Sequence, residues 1–316
     1  MTPARLRWLL AGGLLAAALL DWRLAGYSGL ERLATMAIFA ILAMSLDLLV
    51  GVVGLVSLGH ALFFGLGAYA MAGLTVLAGL PAGLAMPLAV LAAGLAALIV
   101  GALVVRLGGV FFITITLAAG QMGFVYFDKA HGFGGNGGLS GVPRLDLSGI
   151  GVDLGEPGAF ALAALLAAAL AFVVLERVVR APFGQVLAAI HQNENRARAL
   201  GCPVRRFKLA AFTLAGLLAG LAGSLMAQLT GFVSPDLMVW TGSGEILIMV
   251  ILGGAGSLVG PAAGAALWIL ARNALAELTA HWMLWMGLCF VAAGLVAEGG
   301  LFGALTRRRR ARAGIA

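Results

Sequence analysis

The chain has 316 residues, 62% of them hydrophobic and only 10% charged, with a net charge of +7 at neutral pH. Ordinary soluble domains carry roughly a quarter charged residues, so this composition excludes a soluble fold and indicates an all-α polytopic membrane protein. The surplus of positive charge does not indicate nucleic acid: seven of the 20 basic residues fall in one loop and five more in the C-terminal tail, a pattern that orients a membrane protein and meets lipid headgroups.

A bilayer crossing takes about 20 apolar residues, and such runs predict one transmembrane domain over 1–316. Arg5 and Arg7 precede an apolar run at 8–20 that ends in Asp21-Trp22-Arg23. The pattern is close to that of a cleaved leader, but the spans that follow favour a retained first helix with a cytoplasmic N-terminus. Further spans are expected at 33–53, 57–79, 84–105, 110–127 and 159–175. The extracytoplasmic loop 128–158 is Gly-rich and mixed in charge, and is expected to form an ordered cap over a pathway. Six crossings return the chain to the cytoplasm at Arg177.

There the loop 177–208 carries Arg177, Arg180, Arg196, Arg198, Arg205, Arg206 and Lys208 against one acid, Glu194, as a cytoplasmic loop should. It predicts a short helix that starts at Pro182, with Val186, Ile190, Ala197 and Leu200 on one stripe and Asn193 among them. Such a helix is either an interfacial anchor or a handle for a soluble partner. Spans follow at 208–229 and 282–296, with 245–275 between them. For the five-arginine tail at 307–316 to be cytoplasmic, 245–275 must cross twice, with its break at Gly253-Gly254-Ala255-Gly256-Ser257. The expectation is ten crossings, the alternative eight plus a re-entrant hairpin.

Two hydrophobic segments are interrupted by glycine, 51–67 and 253–264. In transporters such a pair marks the translocation pathway, because unwound backbone supplies polar groups at depth. The candidate pathway residues are Ser57, Gly59, His60, Gly253, Gly254, Gly256 and Ser257, to which Asp47 and Glu245 add rare membrane carboxylates. Close helix packing also accounts for the glycines. Both carboxylates lie near a span end, where water also accounts for them, and His60 also reads as a satisfied packing histidine. The two cysteines, Cys202 and Cys289, form no disulfide framework and no metal spacing. No nucleophile, base or metal constellation appears. GFGGNGG lacks the lysine of a phosphate-binding loop, so any nucleotide must be bound by another chain.

Three collinear blocks, 45–72 (SLDLLVGVVGLVSLGHALFFGLGAYAMA), 181–227 (beginning APFGQVLAAIHQNENRARALG) and 245–267 (EILIMVILGGAGSLVGPAAGAAL), resemble LivM-type permeases of branched-chain amino acid ABC importers. The resemblance implies a permease subunit in the bacterial inner membrane; the charge bias and the crossing count put both termini in the cytoplasm. Its partners would be a related second permease, two ATPase subunits and a periplasmic substrate-binding protein. This chain would bind no cofactor; ATP and Mg would be used by the ATPases. The helix at 183–201 would be the coupling helix, with Phe183, Gly184, Ile190, Asn193, Glu194, Ala199, Leu200 and Gly201 at the family's motif positions. Leu55, Asp47, Gly137 and the pair His191-Gln192 depart from the usual residues and leave the cargo open. Branched-chain or other hydrophobic amino acids come first; urea, short amides and aromatic or small carboxylates are the alternatives. An ion-coupled secondary carrier is the alternative of another class.

Overall fold

The computed structural model describes residues 3–24, 26–146, 154–279, 281, 283–285 and 287–288. The expected span at 282–296 lies mostly outside them, and the tail at 307–316 entirely so. The described chain is built of helices: α1 (Pro3–Leu24), α2 (Tyr27–Asp47), α3 (His60–Ala72), α4 (Ala82–Val104), α5 (Val110–Lys129), α6 (Pro157–Arg180), α7 (Pro182–Gln192), α8 (Glu194–Ala199), α9 (Val204–Thr230), α10 (Trp240–Gly253) and α11 (Val259–Leu278). One-turn π-helices prolong α2 through Leu48–Val53 and α3 through Gly73–Leu77. Among the described residues six helices are long and apolar enough to cross a membrane: Tyr27–Val53, His60–Leu77, Ala82–Val104, Val110–Lys129, Pro157–Arg180 and Val204–Thr230. Shorter apolar stretches occupy Arg7–Leu19 and Trp240–Gly253.

Small residues set the packing. α9 lies at the centre against α2, α3 and α4. A methyl at Gly67 would meet the Gly220 backbone, one at Gly223 the Phe64 carbonyl, and one at Gly216 the Ala97 side chain. Apolar burial drives no helix association inside lipid, so this close backbone approach supplies the dispersion contact that replaces it. One apolar core runs through the bundle from Leu33 to Ile269. The outward faces of α4 and α5 remain apolar and uncovered, as lipid-facing helices are.

The bundle has two distinct ends. At one, β1 (Leu139–Ser140) pairs antiparallel with β2 (Phe232–Val233), which ties the two loops at that end together. Arg144 donates to the Gly155 carbonyl (2.7 Å) and lies 5.1 Å from the Phe160 ring centroid. At the other end the chain leaves α6 and forms α7 and α8. α1 runs antiparallel to α6. The Trp22 indole donates to the Gly158 carbonyl at the strand end (2.8 Å), and Arg7 lies 3.5 Å from Glu176 at the α7 end.

The single helix expected over 183–201 is instead two. Asn193 takes an extended backbone (φ −161°, ψ 98°), and its side chain accepts from the Arg196 N–H at 2.9 Å. An asparagine that caps a helix start cannot also continue the preceding helix. As a result Leu200 leaves the expected stripe: Ile190 and Ala197 are buried against Val204, while Leu200 is 82% exposed.

Candidate translocation joint and docking loop

The two glycine-interrupted segments, far apart in sequence, meet at the α7 end of the bundle. α10 and α11 form an antiparallel pair whose connection, 254–258, carries positive φ at Gly254 (+103°), Gly256 (+80°) and Leu258 (+60°). α2 ends against this connection, and Asp47 supplies the clasp. Its Oδ1 accepts from the Gly256 N–H at 2.6 Å and its Oδ2 from the Leu258 N–H at 3.0 Å. One turn on, a methyl at Gly51 would overlap the Gly256 backbone, so only glycine lets α2 reach the connection. Arg7 closes it from the other side, donating to the Gly256 carbonyl at 2.9 Å. Ser257 accepts from the Gly260 N–H (2.9 Å) and donates to the Gly254 carbonyl (2.8 Å), capping the start of α11. Gly253 packs against the Gly260 carbonyl. Asp47 is fully buried, which removes the alternative of a carboxylate solvated by water at a span end.

The break after α2 is built differently. Residues 54–59 are not helical, and α3 starts inside the bundle at His60. Its N-terminal Ala61 N–H is satisfied from another element, by Ser243 Oγ of α10 at 2.9 Å. His60 Nε2 lies 2.8 Å from Ser45 Oγ, and Ser45 spends its one hydrogen on the Leu42 carbonyl at 2.7 Å. With that hydrogen spent, the imidazole donates to Ser45 through Nε2, and its other ring nitrogen is Nδ1. That nitrogen is buried without a hydrogen-bond partner among the described residues. Ser57 Oγ faces the Gly59 N–H at 3.4 Å, and a methyl at Gly59 would meet the Thr116 carbonyl.

Of the nine candidate pathway residues, Glu245 lines the large cleft of about 830 Å³ between α2, α3, α10 and α11. The other eight form the packed joint and the start of α3. The cleft has charged residues towards the strand end, among them Glu31, Arg32, Asp236 and Arg272, and apolar walls deeper in, from Phe39, Leu42, Phe64 and Met249. Its volume lies within the range of small-molecule sites, roughly 300–1,000 Å³.

Below the joint sits the basic loop of α7 and α8. Gly184 lets α7 fold back tightly on α6, since a methyl there would overlap the Val179 backbone. Phe183 stacks on Phe207 of α9, centroids 5.4 Å apart. α7 packs on the π-helix Leu48–Val53, and the His191 ring covers Gly54 (φ +82°), where any side chain would collide with it. Glu194 at the start of α8 bonds Arg198 and Lys208, each at 2.6 Å. Partial burial works to raise its pKa, but the hydrogen bond and charge of Lys208, with the charge of Arg198, outweigh burial and hold the carboxyl below its ordinary value. Gly201 (φ +83°) ends α8, leaving Ala199 and Leu200 on the open surface.

Sequence reasoning missed two members of this assembly. Arg7 had been only a flanking charge, yet it bridges Gly256 and Glu176. Glu176 is fully buried and also pairs with Arg180 (Nε to Oε1 2.7 Å). A glutamate one turn from an arginine at a span end was the available signal; the partnership with Arg7 had none.

The chain matches the family model described as branched-chain amino acid transport system / permease component over residues 30–305. It is 32% identical over 272 residues to the high-affinity branched-chain amino acid transport system permease protein LivM of Escherichia coli (strain K12), covering 79% of this chain and 64% of that protein. Identity to the LivM of Salmonella typhimurium is 33% over 282 residues, or 82% and 66% of the two chains. The autoinducer 2 import system permease protein LsrC of an Enterobacter species is 33% identical over 172 residues, half of this chain and 49% of that protein. The chain thus spans just under two thirds of the length of the two LivM proteins. No solved structure matches it. A helical protein with six membrane-length apolar helices among its described residues, its two broken spans clasped together over a basic loop, and matched to this family along most of its length, belongs to the family of branched-chain amino acid transport permease components.

Proposed function

We propose that the chain is the translocation subunit of an ATP-driven importer for branched-chain or other hydrophobic amino acids. Its partners are a related permease, two cytoplasmic ATPases and a periplasmic substrate-binding protein, and the ATPases hold ATP and Mg. The contact that carries this reading is the one between α7 and the first broken span. His191 rests on Gly54, α7 packs on the π-helix, and Gly51 of that π-helix touches Gly256 in the second break. A push on α7 from a docked motor has a packed route to both broken spans, as a rigid-body shift of bistable, closely packed elements requires. Leu200 and the exposed face of the loop are the surface such a motor grips.

The same arrangement supports a ten-crossing topology. Among the described residues nine helices, α1 to α6 and α9 to α11, thread the bundle. The joint between α10 and α11 sits at the α7 end, beside Glu176, as two crossings require. A tenth is expected at 282–296, mostly outside the described residues, and would leave both termini on the cytoplasmic side with the basic loop. The cleft suits the cargo. The hydrocarbon side chain of such a cargo fits the apolar wall of Phe39, Leu42, Phe64 and Met249. Reconstitution in proteoliposomes tests the reading. The assembled complex should take up leucine with ATP, and the lone chain should not. Uptake by the lone chain under an ion gradient would establish a secondary carrier instead.

A further inference from the structure

We propose that the junction of α8 and α9 holds the headgroup of an anionic phospholipid. A cleft of about 490 Å³ opens there beside the end of α4, walled by Arg106, Arg198, Arg205 and Arg206 with Glu194. Glu194 is already taken by Arg198 and Lys208, and Glu176 by Arg7 and Arg180. Among the described residues Arg106, Arg205 and Arg206 have no carboxylate partner. Arg205 donates to the Ala102 carbonyl at 3.3 Å, which fixes one wall of the cleft to the last turn of α4. Guanidinium groups bind phosphate oxygens in pairs, so three uncompensated arginines around one cleft form a phosphodiester site.

The neighbouring surface separates a lipid from a free anion or an acidic protein. The outward face of α4 runs Leu91, Leu95, Ile99 and Leu103 straight towards Arg106, and beyond it α5 opens with Val110 and Phe111. Leu103 is 70% exposed and Phe111 73%. Arg106 therefore sits between side chains that require hydrocarbon, at headgroup level. A ligand with a phosphate and acyl chains satisfies both surfaces together; phosphate alone or a soluble acidic groove satisfies one. Bound there, the lipid braces α8 against the end of α4. The site depends on the chain lying in a bilayer and not on what it transports.

The test is lipid retention by the purified full-length chain, followed by native mass spectrometry after exchange against phosphatidylglycerol, phosphatidylcholine or inorganic phosphate. The wild type should retain phosphatidylglycerol over phosphatidylcholine by roughly tenfold or more. A variant carrying Arg106→Gln, Arg205→Gln and Arg206→Gln should lose the preference. A variant with Arg307, Arg308, Arg309 and Arg310 changed to Gln should keep it. Equal retention by the triple variant overturns the site, as does loss of the preference in the tail variant alone. Saturable phosphate binding that needs the same arginines, with no advantage for phosphatidylglycerol, assigns the cleft to a free anion and overturns the lipid.

Discussion

Asp47 does the most at the scale of single residues. Each of its carboxylate oxygens satisfies one backbone N–H of the α10–α11 connection, and the second of these belongs to Leu258, the one non-glycine residue with positive φ among the described residues. A side chain in that conformation costs on the order of 1–3 kcal/mol and persists only where its surroundings hold it. Removing the carboxylate leaves two donors unsatisfied, at roughly 1–3 kcal/mol each. Asp47→Ala should therefore lower unfolding stability in detergent by ~2–6 kcal/mol. Asp47→Asn should fall between it and the wild type, because an amide keeps one acceptor and turns an N–H₂ towards the other donor. An Asp47→Ala protein as stable as the wild type would show that the clasp holds nothing.

Glu194 gives a pH test at the same scale. Its pKa is lower in the folded chain than its ordinary value of 4.5. The ionised carboxylate therefore stabilises the loop above that value, and the contribution is lost as pH falls through the lower, folded pKa. Loop order, read as protection of α8 from proteolysis, should be constant from neutral pH down to about pH 5 and fall only below 4.5. Glu194→Gln should remove that step and leave the loop less protected at pH 7. Retention of the step in the Gln variant would assign it to another group.

Among elements, the basic loop of α7 and α8 is where the proposed docking surface is separated from the proposed lever. Leu200 is exposed and packs on no core, so Leu200→Glu should leave folding unchanged, within about 0.5 kcal/mol. The same change should weaken attachment of the ATPase subunits about tenfold or more, as for an apolar anchor lost from an interface. A co-purification assay reads the attachment, and undiminished attachment would place the docking surface elsewhere. Much of this element was legible beforehand. The charge run placed the loop, Pro182 its start and Gly201 its end. The break at Asn193 was also written there, as an asparagine followed by a polar turn, but the apolar stripe through Leu200 hid it. The glycines at 51, 54, 253 and 256 announced two broken spans, yet not that the two would be clasped together. That clasp depends on where α2 ends relative to α11, which no local pattern encodes. Likewise the charge of Asp47 was visible and its two backbone donors were not, because they lie more than 200 residues away.

For the whole molecule, one end is held by paired strands and the other by the clasped joint above the loop, with the cleft opening between them. The proposed ten crossings predict a cytoplasmic reporter signal from a fusion after Arg312; an extracytoplasmic signal would break the count. The central claim is mechanical: α7 and the joint move together when the motor closes, and the strand end does not follow. Spin labels at Gln192, Ala255 and Ser140 in the assembled complex test it directly, by distances measured without nucleotide and with ATP bound. The Gln192–Ala255 distance should stay constant while Ala255–Ser140 changes by several ångströms; a changing Gln192–Ala255 distance with Ala255–Ser140 fixed would contradict the account.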